Sequence, residues 1–206
     1  MTPKEKFIEA LGERDIDLLL LEEFHVSAQF QTWFAAKAFG PESRGCRFES
    51  ASHAVTDPEL GESDLIAYYI DPQGQVLAIL IEDKIDAAAQ PEQAARYQKR
   101  GEAGISAGRW TSFRTCIVGP RNYLDSAPDA AGYQVSISYE EVCEFFGSQT
   151  GRDERYHYRK QLVEEAIEQS RRGYQPEDHP AVHQFWQRYW ELVTKCIILN
   201  NSLARD

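Results

Sequence analysis

The sequence predicts an α/β protein in which a mixed β-sheet is flanked by helices, with extra helices at the C-terminal end. Two apolar segments, residues 64–70 and 75–85, lie on either side of an Asp-Pro-Gln-Gly turn and predict a β-hairpin. A further buried strand is expected at residues 113–118, after an intervening helix. The N-terminal part is instead rich in helical segments, so strands and helices belong to one mixed architecture.

The remaining elements follow from capping and turn residues. Ser27 is expected to cap a helix over residues 28–39, which Gly40 and Pro41 end. Pro91 suits the first turn of the helix that follows the hairpin. The expected helices cover residues 4–12, 15–25, 28–39, 91–101, 139–146, 152–171 and 181–199, with short strands at 46–56 and 133–138 and a linker at 173–180.

Length and composition predict a single domain over residues 1–206, with a core at about 15–150 and a helical C-terminal extension at about 151–206. No apolar run approaches the ~18–20 residues of a membrane span, and the N-terminus lacks a signal-peptide pattern. The four cysteines are far apart, which argues against a zinc site and a disulfide framework. We therefore expect a cytoplasmic protein with reduced thiols and no membrane association.

The net charge of −11 opposes nucleic-acid binding, because binding proteins usually carry a basic surface. The acidic residues are unevenly distributed, however. Between Gln93 and Arg121 the only acidic residue is Glu102. The basic residues of this segment are Arg96, Lys99, Arg100, Arg109, Arg114 and Arg121. The segment is therefore either a surface that contacts phosphates or an ordinary solvated face.

Four charged residues lie at the ends of the two hairpin strands. Because side chains alternate along a strand, Glu82 and Lys84 point to one face and Asp83 points to the other. Asp64 begins the partner strand and can place its carboxylate beside Glu82. Two converging carboxylates are unfavourable unless a cation neutralises them. Mg²⁺ suits such a site because it takes oxygen ligands, keeps several waters and polarises phosphates.

Asp64 together with the Glu82-x-Lys84 pair resembles the PD-(D/E)XK nuclease superfamily. The Gln93-x-x-x-Tyr97 spacing on the next helix resembles the additional QxxxY motif of its RecB-like and lambda-exonuclease-like branch. Without the resemblance, Glu82 and Lys84 are interpreted as a surface salt bridge. Gln93 and Tyr97 are interpreted as an ordinary i, i+4 pair on a helix.

The resemblance covers roughly residues 15–121 and implies a restriction-endonuclease-like fold. It implies a nuclease that hydrolyses DNA phosphodiester bonds with Mg²⁺ or Mn²⁺ as its cofactor. The implied catalytic residues are Asp64, Glu82, Lys84, Gln93 and Tyr97. Of these, the two acids would hold the metal, the lysine would be catalytic, and the glutamine and tyrosine would line the site near the substrate phosphates.

Nucleases of this kind often add a helical glutamate upstream of the strands. Glu22 and Glu23 are the candidates, and Glu23 is the preferred third metal ligand; both also read as solvated charges at a helix end. For substrate binding we expect Arg96, Lys99 and Arg100, which follow the motif on the same helix.

Two kinds of function remain open at this point. The first is a DNA nuclease of repair, restriction or defence against phage, acting with a protein partner or as a homo-oligomer because the chain is small and has no motor motif. The second is a non-catalytic nuclease-fold module that binds a protein or nucleic-acid partner, for which the net charge of −11 is natural. Exonuclease and endonuclease action, and DNA and RNA as substrates, are not distinguished by the sequence.

Overall fold

The computed structural model of the protein describes residues 8, 10–57, 61–85, 90, 92–149, 151, 153–172, 184–190 and 192–194. The chain divides into two compact units, Met1–Gly173 and Tyr174–Asp206. Pro91, the 173–180 linker and most of the expected 4–12 helix lie outside the described residues. Among the residues described, no helix is long and apolar enough to cross a membrane.

The described part of the first unit contains six α-helices and five strands. The helices are α1 (Glu13–Val26), α2 (Ala28–Phe39), α3 (Gln93–Ser106), α4 (Arg121–Ser126), α5 (Tyr139–Gln149) and α6 (Arg155–Arg172), with 3₁₀ turns at Gly40–Ser43 and Ala130–Gly132. The strands are β1 (Arg47–Asp57), β2 (Gly61–Ile70), β3 (Val76–Asp83), β4 (Ser112–Gly119) and β5 (Val135–Ser138). The predicted α/β class, a mixed sheet flanked by helices, is confirmed.

The five strands form one sheet in the order β1-β2-β3-β4-β5. The first three are antiparallel neighbours, and β4 and β5 continue the sheet in parallel with β3. The predicted hairpin is confirmed, with β2 and β3 paired from Leu65 opposite Ile81 to Ile70 opposite Val76. Parallel neighbours need a crossover connection, and α3 supplies it between β3 and β4.

Alternate residues of β3 enter two separate apolar cores on the two faces of the sheet. Ile79 and Ile81 pack in the core shared with α1, α2, α5 and α6. Ala78 and Leu80 pack in the core shared with α3. Continuing the alternation, Glu82 lies on the α3 face of the sheet, where the next helix can reach it.

Helix α3 packs closely against the aromatic residues at the start of β4. Gly101 faces the ring of Phe113 and Gly104 faces the ring of Trp110, and neither position has room for a Cβ atom. The indole Nε1 of Trp110 donates a hydrogen bond of 2.9 Å to the carbonyl of Gly101. This contact fixes the rotation of α3 and therefore the direction in which its first turns present their side chains.

Several boundaries differ from those expected. Gly12 precedes α1 as its N-cap instead of ending an earlier helix. Ser27 caps α2 as predicted, accepting a hydrogen bond of 3.2 Å from the amide of Phe30. Helix α6, expected in the C-terminal extension, belongs to the first compact unit, where Tyr156 and Val163 are buried in the core. In the second unit, residues 184–190 and 192–194 are helical.

Candidate active site

A cavity of about 290 Å³ lies where the ends of β2 and β3 meet the first turns of α1 and α3. The structure brings all five predicted catalytic residues to its walls: Asp64, Glu82, Lys84, Gln93 and Tyr97. They come from three elements and the residue just after β3, because Lys84 follows the last residue of that strand. The sequence spacing therefore corresponds to one spatial cluster.

The hydroxyl of Tyr97 occupies the point where β2 and β3 separate. The last paired residues in the hairpin are Leu65 and Ile81. Just beyond them, the Tyr97 hydroxyl accepts a hydrogen bond of 3.2 Å from the amide of Asp64 and donates one of 3.1 Å to the carbonyl of Ile81. Tyr97 thus replaces a direct strand-to-strand bond, and the separation makes room for the acidic side chains.

The carboxylate of Glu82 is held by two neighbours. Its Oε1 atom lies 2.7 Å from the Lys84 Nζ atom and accepts a hydrogen bond of 2.5 Å from Gln93 Nε2. Gln93 is fixed in turn, because its Oε1 accepts a hydrogen bond of 3.2 Å from the amide of Gln90. The position of Glu82 is therefore set before any ligand binds.

Asp64 is oriented by the backbone of the neighbouring strand. Its Oδ2 atom accepts a hydrogen bond of 2.9 Å from the amide of Asp83. The side chain of Asp83 lies on the other face, as predicted, where the hydroxyl of Tyr139 donates a hydrogen bond of 2.8 Å to its Oδ1 atom. Burial raises the pKa of Asp83 well above its usual range, so this carboxyl group is part of the core.

Glu13 joins the cluster from the first turn of α1. Its Oε1 atom accepts a hydrogen bond of 3.2 Å from the amide of Ile85, and its Oε2 atom lies 3.5 Å from Lys84 Nζ. The ammonium group of Lys84 therefore lies between two carboxylates, those of Glu13 and Glu82. Neither Glu13 nor its role was identified from the sequence.

The acidic groups of the site repel one another in a partly buried setting. Burial raises the pKa of Asp64 to about 7, with a further contribution from the charge of Glu82. Asp17, one turn after Glu13 on α1, is 4 % exposed. Burial raises its pKa to about 8, with further contributions from Asp64 and Glu82. An added cation would relieve this repulsion.

Lys84 is a cation in this setting. Burial opposes its charge, but the carboxylates of Glu82, Glu13 and Asp64 outweigh burial and raise the pKa of Lys84 above its ordinary value. The side chain is thus an ammonium donor at neutral pH. It is suited to stabilising negative charge.

Glu23, the preferred third ligand, lies elsewhere, which corrects the expectation from sequence. It is fully buried on α1 and forms an ion pair with Arg159 of α6. Glu22 forms an ion pair with the same guanidinium at 2.6 Å. Both glutamates therefore join α1 to α6. The helix turns its first residue, Glu13, toward the cavity instead.

Two of the three predicted substrate-binding cations lie at the cavity. Arg96 and Arg100 line the cavity, whereas Lys99 is exposed on α3 and is not among the residues that line it. The wider basic segment does not form a single surface. Arg114 forms an ion pair with Glu42 at 3.0 Å, and Arg121 donates a hydrogen bond of 3.2 Å to Ser138.

Asp17 and Tyr123 are further candidate site residues that were not identified from the sequence. Asp17 Oδ1 is buried without a hydrogen-bond partner among the described residues, while Oδ2 lies 3.7 Å from Nε2 of His53. The Tyr123 hydroxyl is also buried and lacks such a partner in the described part of the chain. Burial raises the pKa of Tyr123, with a smaller opposing effect from nearby Lys84. For Asp17, the i, i+4 spacing from Glu13 was the one signal available in the sequence.

The donor chemistry of the site fits a hard divalent cation. Asp64 and Glu82 present carboxylate oxygens, and the pKa of Asp64 is raised by burial first and then by the charge of Glu82. Among the residues that the structure describes, no group of three or more His, Cys, Asp or Glu side chains is arranged to hold a metal ion. Mg²⁺ needs only one or two protein carboxylates when waters and substrate phosphates complete its shell.

No protein-family model, no curated protein and no solved structure matches this chain.

Proposed function

We propose that this chain is a metal-dependent nuclease that hydrolyses DNA phosphodiester bonds, acting in repair, restriction or defence against phage. The observation that carries the proposal is the convergence of Asp64, Glu82 and Lys84 in one cavity at the separated ends of β2 and β3. Gln93 and Tyr97 support it, because each contacts the strand residues that would act on the substrate.

The arrangement of the sheet agrees with this proposal. An antiparallel hairpin supplies the two acids, and the following helix crosses over to a parallel strand while presenting its first turns to the hairpin ends. This arrangement is compatible with the restriction-endonuclease-like architecture that the sequence resemblance implies. The fold alone would not assign the activity, since one fold serves many functions.

Asp64 and Glu82 would hold Mg²⁺ or Mn²⁺ in the proposed site. The bound ion would polarise the scissile phosphate and lower the pKa of the attacking water. Gln93 keeps the Glu82 carboxylate in place through its 2.5 Å hydrogen bond. Tyr97 keeps the backbone of Asp64 in place, because its neutral hydroxyl accepts a hydrogen bond from the Asp64 amide. Both are positioning residues in this scheme.

Lys84 would leave its contact with Glu82 and bind a non-bridging phosphate oxygen. Its ammonium group stabilises the negative charge that develops as water adds to phosphorus and the bond to the leaving sugar oxygen breaks. The proton released by the water passes to solvent, and the leaving oxygen takes one from solvent. Arg96 and Arg100 would contact the phosphates on either side of the bond that is cleaved.

Cleavage assays with purified protein test this proposal. Linear and supercoiled DNA would be incubated with Mg²⁺ or Mn²⁺ and with wild-type protein, Lys84→Ala or Lys160→Ala. Lys160 is a matched control, because its ammonium group forms an i, i+4 ion pair with Glu164 on α6. We expect cleavage by wild type and by the control, with a loss of at least about 100-fold for Lys84→Ala. Equal cleavage by all three, or none with any metal, would refute the proposal.

A specific observation favours a second candidate, a non-catalytic module of the same architecture. The Glu82 carboxylate already has two partners, Lys84 and Gln93, so the charges of the cavity are partly paired within the protein. In that case the acids are structural charges, and a protein or nucleic-acid partner binds elsewhere. Calorimetric titration with Mn²⁺ distinguishes the two candidate functions. The nuclease proposal requires Mn²⁺ binding that is weakened by Asp64→Asn and by Glu82→Gln.

A nuclease of this size is proposed to act in the cytoplasm with a protein partner or as a homo-oligomer. The net charge of −11 favours a partner, because an acidic chain gains DNA affinity when a partner supplies additional cations.

A further inference from the structure

The start of α1 has no side chain at its N-cap position. That residue is Gly12, which cannot accept hydrogen bonds from the first amides of the helix through a side chain. The Gly12 amide donates a hydrogen bond of 2.8 Å to Oδ2 of Asp15 in the same turn. Glu13 is the next residue after Gly12, so the direction of its side chain depends on how the backbone enters α1.

A side chain of α6 holds the residue that precedes this N-cap. Oε1 of Gln169 accepts a hydrogen bond of 2.9 Å from the amide of Leu11, and Nε2 of Gln169 donates one of 2.8 Å to the carbonyl of the same residue. A primary amide can accept and donate at once, as a neighbouring β-strand would, whereas an ionised carboxylate only accepts. The two bonds therefore fix both the position and the direction of the Leu11 backbone.

Apolar contacts hold the two helices together around these bonds. Leu11 and Ile16 are buried in the core cluster that also contains Ala166 and Ile167 of α6. Hydrophobic burial is not directional, so it does not determine which backbone groups meet. The hydrogen bonds of Gln169 add that direction at the point where the chain enters α1.

Glu13 carries this placement into the proposed site. It lies two residues after Leu11 and contacts the end of β3 through both oxygens. Oε1 accepts a hydrogen bond of 3.2 Å from the amide of Ile85, and Oε2 lies 3.5 Å from Nζ of Lys84. The Glu13 side chain is 31 % exposed, so burial restrains it far less than it restrains Glu82, at 3 %. Its position therefore depends on the backbone from which it extends.

From these contacts we propose that Gln169 is a positioning residue of the site, which acts through Leu11 and Glu13 on Lys84. The inference rests on the proposed nuclease function and adds a residue of the C-terminal helix to it. Helix α6 is then a working part of the site, although none of its described residues lines the cavity.

Amide hydrogen exchange of the full chain in EDTA tests the positioning without metal or cleavage. Gln169→Met keeps the length of the side chain and removes both hydrogen bonds. We expect the Ile85 amide to exchange at least about tenfold faster in this variant than in wild type. The neighbouring amide of Lys84 donates to the carbonyl of Val118 in β4 and should keep its rate. Equal acceleration of both amides would indicate a general loss of stability and overturn the inference.

A double-mutant cycle tests whether the effect passes through Glu13. Calorimetry gives the Mn²⁺ affinity of wild type, Gln169→Met, Glu13→Gln and the double variant. We expect Gln169→Met alone to weaken binding by about tenfold, the usual lower value for removing an outer group of a metal site. In the Glu13→Gln background the same substitution should cost less than about twofold, because the residue through which it acts is already changed.

Gln161→Met provides the matched control. Gln161 lies two turns earlier on α6, where it lines a pocket with Glu164, Glu165 and Glu168. The substitution makes the same chemical change in the same helix. It should leave both the exchange of the Ile85 amide and the Mn²⁺ affinity unchanged. An equal effect of the two substitutions would show damage to α6 and overturn the inference.

The outcomes distinguish this inference from the nuclease proposal. Unchanged exchange at Ile85, or losses of Mn²⁺ affinity that add in the double variant, overturn the inference and leave the nuclease proposal intact. Selective loss of protection at Ile85 in a protein that cleaves no DNA with any metal supports the positioning by Gln169 and contradicts the nuclease proposal. If wild type binds no Mn²⁺, the exchange at Ile85 alone decides the inference.

Discussion

The backbone amide of Asp64 donates its hydrogen bond to the side-chain hydroxyl of Tyr97, at 3.2 Å, and not to a carbonyl of the neighbouring strand. The same hydroxyl reaches the carbonyl of Ile81 at 3.1 Å. One side chain of α3 therefore joins the ends of β2 and β3 at the level of the acidic residues. Tyr97 is fully buried, and burial raises its pKa well above the usual range, so the bridge stays neutral.

Replacing Tyr97 by phenylalanine removes the hydroxyl and keeps the ring. The substitution therefore separates the contribution of the two hydrogen bonds from that of ring packing. We expect Tyr97→Phe to lower the free energy of unfolding by about 1–3 kcal/mol, because two buried backbone groups lose their partner. DNA cleavage should fall further than stability alone explains, since Asp64 loses its anchor. Urea unfolding and cleavage rates measure the two effects. Tyr158→Phe is the control, because Tyr158 is 51 % exposed, and an equally small effect of both substitutions would show that the bridge is unimportant.

Gln93→Ala removes the amide that holds Glu82. We expect metal affinity and cleavage each to fall by about 10- to 100-fold, the usual result of removing a group that orients a metal ligand. The reason is geometric, because Glu82 would lose the hydrogen bond from Gln93 that helps to orient its carboxylate. Mn²⁺ calorimetry and cleavage assays measure the change. Gln98→Ala on the same helix is the control, since the side chain of Gln98 donates a hydrogen bond to Glu102, and a loss shared by both variants would point to damage of α3 instead.

The stability of the metal-free protein should fall as the pH rises through the titration of Asp17. Its pKa is raised from 3.8 to about 8, so the folded state holds this proton more tightly than the unfolded chain does. The resulting stability is complete below about pH 4 and is lost as the pH approaches 8. Asp17→Asn removes the charge and should therefore be the more stable form at alkaline pH.

Urea unfolding in EDTA at about pH 5.5 and about pH 8.5 measures this difference. The gain of Asp17→Asn over wild type should increase between these values by at least about 1.4 kcal/mol, the equivalent of one pKa unit. Asp153→Asn, which removes one side of a surface ion pair with Arg155, should show little change at either pH. Parallel curves for Asp17→Asn and wild type would contradict the expectation.

Glu13 and Glu23 form a matched pair, because both belong to α1 and both lie beside a cation. Glu13→Gln should weaken Mn²⁺ binding by about tenfold, since it removes negative charge next to Lys84. Glu23→Gln should leave Mn²⁺ binding unchanged but lower the free energy of unfolding by about 1–3 kcal/mol, because Arg159 loses its buried partner. Calorimetry measures Mn²⁺ binding and urea unfolding measures stability for both variants. The reverse pattern would show that Glu23, and not Glu13, belongs to the site.

The hairpin and its acids were predictable because they depend on local rules. Alternation along β3 places Glu82 and Lys84 on one face, and the turn sets the partner strand so that Asp64 lies beside them. Helix α3 follows directly, and its spacing brings Gln93 and Tyr97 to the same edge. Each of these relations spans a few tens of residues of the chain.

The contribution of α1 was not predictable, because it depends on packing between distant segments. Glu13 and Glu23 both belong to α1, and the helix turns one toward the cavity and the other toward Arg159 of α6. The partner of Glu23 is far along the chain, and no local pattern signals it. The same holds for Arg114, which belongs to the basic segment in sequence but contacts Glu42 in the structure.

The two glycines of α3 that lie against Phe113 and Trp110 restrict how this region can change in length. A residue inserted between Tyr97 and Gly101 would rotate the first turns of α3 by about 100° relative to the packed half, since the helix has 3.6 residues per turn. Gln93 would then point away from Glu82. The distance in sequence from the QxxxY residues to the glycines is therefore as much a part of the site as the residues themselves, and insertions are better tolerated at an exposed turn such as that around Gly74.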